Sequence, residues 1–519
     1  MLLKHKKFLI PLAIFLLAFI LRISFLDFTL FDGDIVQQMD YADKISSGDF
    51  YLGGMVPTQG EFRTQQTFGP FHFYLLSLVR TITKNYIFAG LFMALLNSLA
   101  VLFTYIFVNR FFSNRAAVLA SLLYAINPWH VILYSNYPWA PNYLPILIIH
   151  IFFSLFKVLV EKKQIWLVPM ALFLGFITHP YPAGLQLYFV VFLALFLFYL
   201  KLKFSFDYRM VCISLLVFIL TFVPFIINSY VIGSSPLNEG FTVLHYTKSA
   251  LRDSSVLINF RDAIAMPFIF SSGYFGSYLT GDFKVFNGFF DFIYSYLPFI
   301  FSILFIVLFI YFFKYYIYDK KYKNLDFRYL TLALWFLVPI VLMIIRNKSV
   351  MPHNLIVLFP VIFIISSLGL IFVLDRIREV FRLALAVILA IFVILQLFFV
   401  ISFYFSISEI GGTGATYGIP YKFKLQSVDY ILSDSGTNNP NVFEASRIVD
   451  YKSLFDYRVT RPNYILVKDI FELNNTSGYL ILDRVSRDFP RKLSKEENDF
   501  INSFSNNTKK FGQVEVIKF

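Results

Sequence analysis

Residues 8–26, FLIPLAIFLLAFILRISFL, followed closely by residues 31–40, FDGDIVQQMD, decide how this chain is read. The first stretch is an apolar run that, at about 1.5 Å per helical residue, is long enough to cross the core of a bilayer. It is longer than a signal-peptide core and lacks a small-residue cleavage site, so it reads as a retained span. The second stretch sets two carboxylates, Asp32 and Asp34, on a short turn just beyond that span. Ile35, Met39, Ala42 and Ile45 then recur at spacings of four, three and three, which predicts an amphipathic helix lying along a membrane surface.

The rest of the chain fits this beginning. Of 519 residues, 58% are hydrophobic and only 15% charged, with 67 Phe; soluble domains hold about 45–50% apolar residues. Repeated apolar runs predict a polytopic α-helical membrane protein with about eleven spans, near 8–26, 86–108, 117–135, 143–156, 164–178, 183–200, 210–231, 292–313, 329–345, 354–374 and 383–404. Basic connections orient them. With the N-terminus in the cytoplasm, the inner pieces 1–7, 109–116, 157–163, 201–209, 314–328 and 375–382 hold 19 Lys or Arg against six acids. That excess of 13 equals the net charge of the whole chain, so the charge is a topology signal and not a nucleic-acid footprint. The single cysteine, Cys212, rules out an intrachain disulfide, and no zinc-type Cys/His spacing occurs.

An odd number of spans leaves residues 406–519 outside as an extracytoplasmic tail. Tyr464–Val467, Tyr479–Leu482 and Gln513–Val516 read as strands, and Ser494-Lys495-Glu496-Glu497 is a capping-box pattern opening a helix to about Phe504. A small α/β domain is expected there, carrying no catalytic motif. The chain thus divides into a membrane domain over 1–405 and a tail domain over 406–519, joined by a Gly411-Gly412-Thr413-Gly414 stretch that reads as a hinge. Residues 27–85 form the first outer loop, and 232–291 a long outer loop that reads as a lid, an acceptor surface or a packed subdomain.

The residues able to do chemistry gather on the outer side, including five of the seven histidines. Asp34 has two readings. On pattern alone an N-cap accepting from the Gln37 backbone N–H is the commoner role, and a catalytic carboxylate is the sharper one. Asp32 is a possible partner or an ordinary turn residue. The aromatics after Gly69-Pro70, and Tyr137 and Trp139, read as an interface belt or as sugar-facing rings. His179 and His353 read as chamber residues or as hydrogen-bonded structural groups, the latter being commoner for a lone histidine. Arg346 and Arg22, near outer span ends, and Lys348 read as donor-side cations or as snorkelling anchors.

An Asp heading a helix after the first span, a Gly-rich stretch (Gly48, Gly53, Gly54, Gly60), and Gly69-Pro70 leading into an aromatic helix together resemble the GT-C superfamily of membrane glycosyltransferases. The resemblance is to its protein O-mannosyltransferase and aminoarabinose-transferase group. It continues through Asn127-Pro128-Trp129-His130, the 134–142 stretch and Gly175–His179, covering roughly residues 8–200, and returns more weakly at Met351-Pro352-His353-Asn354-Leu355.

The resemblance implies a polyprenyl-phosphate sugar as donor, an acceptor lipid, polysaccharide or protein, and a bilayer setting in the cytoplasmic membrane. It places the catalytic acid on Asp34; beside it, Asp32, His179 and His353 are candidate supporting groups, Arg346 and Arg22 candidate cations for the donor phosphate, and Gly69, Pro70, His72, Tyr137, Trp139 and Asn142 candidate sugar or acceptor contacts. Relatives often carry a second acid directly after the first, where this chain has Ile35, so a divalent metal is possible but unassigned. A lipid-linked-sugar carrier or flippase, or a non-catalytic envelope binding protein, are the competing readings. A carrier requires ionisable groups near mid-membrane, and His150 is the obvious one.

Overall fold

The computed structural model describes residues 2–50, 69–202, 205–231, 256–273, 289–318, 326–346, 352–413, 417–436, 440–444, 451, 454–455, 463–466, 477–483, 495–504 and 507–519. Over these the chain is a helical membrane bundle with a small mixed sheet at its C-terminal end. Seven helices are long and apolar enough to span a bilayer: Tyr86–Phe111, Ala140–Leu159, Ala183–Lys201, Pro298–Tyr318, Phe327–Ile345, His353–Leu374 and Glu379–Ile410. The other four expected spans form shorter apolar helices, Phe8–Ile23, Asn114–Ile126, Gln164–Phe176 and Tyr208–Pro224. The expected span 117–135 is not one helix. It stops at Ile126, because Asn127 takes extended backbone and caps a new short helix, Pro128–Ile132.

Ion pairs show which connections share an end of the bundle. Arg110 Nε donates to Glu161 at 2.8 Å, Arg115 pairs bidentately with Asp375 at 2.9 and 3.0 Å, and Arg328 Nη1 donates to the Phe111 carbonyl at 2.8 Å. Gln164 Nε2 donates to the Ser205 carbonyl at 3.0 Å. The connections at 109–116, 157–163, 201–209, 314–328 and 375–382 therefore meet at one end, as their shared basic character predicts.

Small residues let the central helices approach closely. Helix Asn114–Ile126 buries Ala116, Ala117, Ala120 and Ala125 between helices Tyr86–Phe111, His353–Leu374 and the first span. Its final carbonyls lack intrahelical partners, and Arg22 Nη1 reaches across from the first span to the Ala125 carbonyl at 3.1 Å while also holding Ala18 at 2.8 Å. Within the stretch expected as a long outer loop, Val256–Ser271 is helix, and it packs on the helices that follow. Its end is closed by Asn127 Nδ2 on the Phe270 carbonyl (3.1 Å) and Gln396 Nε2 on the Ser272 carbonyl (2.8 Å). That part is packed structure and not an open lid.

The first-loop helix, Gly33–Ser46, does not lay its apolar stripe on lipid. Ile35, Met39 and Ala42 are buried against protein, in a cluster shared with Leu76 of helix Phe71–Ile82, Tyr86, Tyr137 and the tail. The two loop helices are pinned by Arg80, whose Nε and Nη2 reach the Asp43 carboxylate at 2.7 and 2.6 Å, and by Lys84 on the same carboxylate at 2.7 Å. Arg80 is buried and Asp43 half-buried. We expect Arg80→Ala to cost about 1–3 kcal/mol, the range for losing hydrogen bonds to a charged group, seen as a lower melting temperature in detergent.

The tail sheet runs β2-β1-β3-β5-β4, with β1 Asn441–Glu444, β2 Asn463–Leu466, β3 Tyr479–Asp483, β4 Thr508–Phe511 and β5 Val514–Lys518. β1 is parallel to both β2 and β3, and β5 is antiparallel to β3 and β4. Helix Tyr421–Ser435 packs across β4 and β5. Helix Lys495–Ser503 lies where the charged pattern predicts one; the proposed cap at Ser494 lies outside the described residues, as do Gly53, Gly54, Gly60, Lys348 and Met351. Gly411 and Gly412, the described glycines of the expected hinge, are packed against the tail. Gly411 takes φ +86° and a Cβ there would sit 2.0 Å from Gly512 Cα, so the last span is locked against the β4–β5 turn. Gln513 Nε2 adds a bond to the Ile410 carbonyl at 2.9 Å.

Candidate active site

The first-loop helix shows which acid of the turn is its cap. Its N-cap is Asp32, in extended backbone, whose Oδ1 accepts from the Ile35 N–H at 3.1 Å. Asp34 is therefore not the cap. It stands one residue inside the helix, half-buried, at the positive end of the helix dipole, which favours the ionised carboxylate. Gly33, the first helical residue, is buried and separates the two acids.

Three other elements bring side chains to this end of the bundle. Trp139, in the turn before helix Leu144–Leu159, is stacked with Tyr137 and Tyr134, ring centroids 6.2 Å apart in each case. Its face meets the edge of His353 at 5.7 Å, and His353 meets Tyr181 at 5.2 Å. Tyr181 Oη donates to Asn354 Oδ1 at 3.4 Å. Trp139, Tyr181, His353 and Asn354 are all half-buried. Trp139 also packs on the cluster that holds Ile35 and Met39, which links this aromatic wall to the helix bearing Asp34.

Behind the wall lies a second group. A Cβ on Gly69 would stand 2.3 Å from His179 Cγ and Nδ1, so only glycine admits the imidazole there. His72 lies 6.0 Å from the Tyr143 ring, and Phe71 stacks on Phe176 at 4.1 Å. Burial pulls the His72 imidazole down to about 3, with nearby His179 acting the same way and the Gly69 backbone opposing. Burial likewise pulls His179 down to about 4. Both rings are thus neutral in the folded protein and charge on unfolding, where the ordinary value is about 6.5. Stability from this pair is complete above about pH 6.5 and is lost as pH falls toward 4 and then 3, because the unfolded chain binds more protons across that window. A melting-temperature series from pH 7 to pH 4.5 should fall, and His72→Gln should flatten the fall.

The residues named from sequence separate into wall and brace. Of the six assigned to sugar or acceptor, only Trp139 is half-exposed; Gly69, Pro70, His72, Tyr137 and Asn142 are buried. Asn142 braces its own turn, donating to the Tyr137 carbonyl at 3.0 Å and accepting from Asn97 at 3.1 Å through its carbonyl. Asp32 is committed to capping. Arg22 is fully buried among Tyr124, Tyr404 and carbonyl groups. Arg346 ends helix Phe327–Arg346, and its side chain lies outside what is described. Among the described residues no three His, Cys, Asp or Glu side chains gather as a metal site. The contacts of Tyr181 with His353 and with Asn354, the latter 173 positions away, are not visible in local sequence pattern.

These features define a multi-pass helical membrane protein whose fold is shared with solved membrane-protein structures. ArnT from Cupriavidus metallidurans, solved bound to undecaprenyl phosphate, superposes over 99% of this chain and 98% of its own with TM-score 0.60 at 12% identity; its apo state gives 0.56. The Archaeoglobus fulgidus oligosaccharyltransferase, solved tethered to an acceptor peptide containing the NVT sequon, superposes over 92% of this chain and 69% of its own with TM-score 0.52 at 14% identity. Both are GT-C glycosyltransferases. No family model and no curated protein matches the sequence itself.

Proposed function

We propose that this protein is a membrane glycosyltransferase that moves a sugar from a polyprenyl-phosphate donor to an acceptor hydroxyl at the outer membrane face, with inversion and with Asp34 as general base. The observation that carries the reading is the placement of Asp34: relieved of capping by Asp32 and half-exposed at the head of a helix. That helix sits in a fold shared end to end with ArnT.

The acceptor oxygen attacks the anomeric carbon while its proton passes to the Asp34 carboxylate. The bond from that carbon to the phosphate oxygen breaks, and the phosphate keeps the electron pair as polyprenyl phosphate. A cation stabilises that leaving group. We assign it to Arg346 ahead of Arg22, whose guanidinium is enclosed and holds backbone carbonyls. Trp139 offers a ring face to the sugar, and His353 with Asn354 offers polar atoms beside it.

The carrier reading draws little support. His150, its mid-span ionisable candidate, bonds the Ile146 carbonyl at 2.7 Å and lies between Phe103 and Phe173. The test is purified protein in lipid with a panel of polyprenyl-phosphate sugars, scored by released polyprenyl phosphate. Release that needs an added acceptor supports transfer; no release from any donor in the panel refutes it.

A further inference from the structure

The tail does not merely hang beyond the last span; it grips the backbone that leads into the catalytic helix. Residues 28–32 run directly into helix Gly33–Ser46. Three successive carbonyls in that lead-in are each taken by a group from elsewhere. Tyr417 Oη donates to the Phe28 carbonyl. The Tyr421 N–H donates to the Thr29 carbonyl at 3.0 Å. Tyr86 Oη, from the head of the second long span region, donates to the Leu30 carbonyl at 2.6 Å. Leu30 also forms an antiparallel bridge with Pro420.

Side chains close the same joint. Phe31, Tyr86 and Tyr421 form a triangle with ring centroids 5.0, 5.4 and 4.6 Å apart. Lys422 Nζ lies over the Phe28 ring at 4.6 Å. Tyr417 and Tyr421 are essentially inaccessible to solvent. The apolar cluster is continuous from Ile35 and Met39 through Tyr421 to Val514 and Val516 in the tail sheet. A lead-in with three successive carbonyls tied and with Leu30 and Phe31 buried has little freedom, so the helix head that follows it has a fixed position. A misplacement of about 1 Å can cost roughly 10²-fold in rate, since the base must meet the acceptor hydroxyl in hydrogen-bond geometry.

We infer that the C-terminal domain is part of the catalytic apparatus, and that Tyr417 and Tyr421 are positioning residues that hold the lead-in 28–32 and thereby aim Asp34. This rests on the transferase reading given above.

The test uses the full-length protein and compares Tyr417→Phe, which deletes one hydrogen bond, Tyr421→Ala, which opens the triangle, and Tyr479→Phe. The last is a control that removes a tail bond to Asp434, 2.7 Å long, away from the joint. Three quantities are read: kcat, donor affinity by direct binding, and amide hydrogen exchange over residues 28–40. The expected result for Tyr421→Ala is faster exchange over 28–40 and kcat lowered at least ten-fold, with donor affinity within two-fold of wild type. Tyr417→Phe should move the same two readouts by less, and Tyr479→Phe should move neither.

Faster exchange with unchanged kcat would overturn the positioning role, and unchanged exchange in both joint variants would overturn the grip itself. Equal losses in all three variants would reduce the effect to general tail instability and overturn it too. If wild-type protein turns over no donor, the transferase reading fails separately, and the exchange readout still decides whether the tail holds the lead-in.

Discussion

Asp34→Asn should lose transfer by about 10²–10⁴-fold, the usual contribution of a general base, while the protein still inserts and melts close to wild type. The expectation follows from where the carboxylate stands. The cap of its helix is Asp32, so the exchange at position 34 leaves the Asp32 to Ile35 bond in place. The exchange also removes one negative charge from the first turn, worth about 0.3–1 kcal/mol. What is lost chemically is the only group proposed to take the acceptor proton. Asp32→Asn supplies the contrast, because Asn caps a helix about as well as Asp; that variant should keep most of its turnover. Release of polyprenyl phosphate, with a melting curve on the same sample, reads both. Wild-type turnover in Asp34→Asn would end the assignment.

Gly411→Ala is expected to free the tail from the membrane domain. The residue has φ +86°, a conformation disfavoured by about 1–2 kcal/mol for a residue with a Cβ. The added carbon would also stand 2.0 Å from Gly512 Cα, which is backbone and cannot rotate aside. Overpacking of this kind costs about 1–3 kcal/mol, so roughly 2–5 kcal/mol is expected in all. Because the clash is at the joint, the effect should appear as protease sensitivity of residues 412–519 before loss of the helical bundle. Equal protection of the tail in variant and wild type would show that the junction accommodates a side chain. Gly436→Ala makes a suitable control: its φ is +62°, but nothing lies within 4 Å of the added carbon.

Much of the membrane architecture was readable from the chain because its signal is local. An apolar run announces a helix, and a cluster of Lys and Arg between two runs announces the end they share. The tail strands Asn463–Leu466, Tyr479–Asp483 and Val514–Lys518 were legible for the same reason. Thr508–Phe511 was not, since TKKF is half charged and pairs only as an edge strand beside β5. Asn127-Pro128 was quoted as a motif but not as a break, although Asn before Pro is a standard helix start.

The site was legible in part. The acidic turn and the helix after it could be picked out. Whether Asp32 or Asp34 made the cap could not, because both lie within reach of first-turn N–H groups. The buried status of Asn142, His72 and Arg22 depends on contacts between elements far apart in sequence. The grip of Tyr417 and Tyr421 on residues 28–31 is the extreme case. It spans 389 positions between Tyr417 and Phe28, and no window of sequence contains both partners.

That span has a consequence for how the molecule comes to life. The loop carrying the proposed base is made well before the residues that fasten it, Tyr417 following Phe28 by 389 positions. Long-range closures of this kind form late, after the loop entropy between the two ends has been surrendered. A chain still being synthesised therefore holds its acid without the clasp. On the transferase reading proposed above, turnover would wait for that clasp.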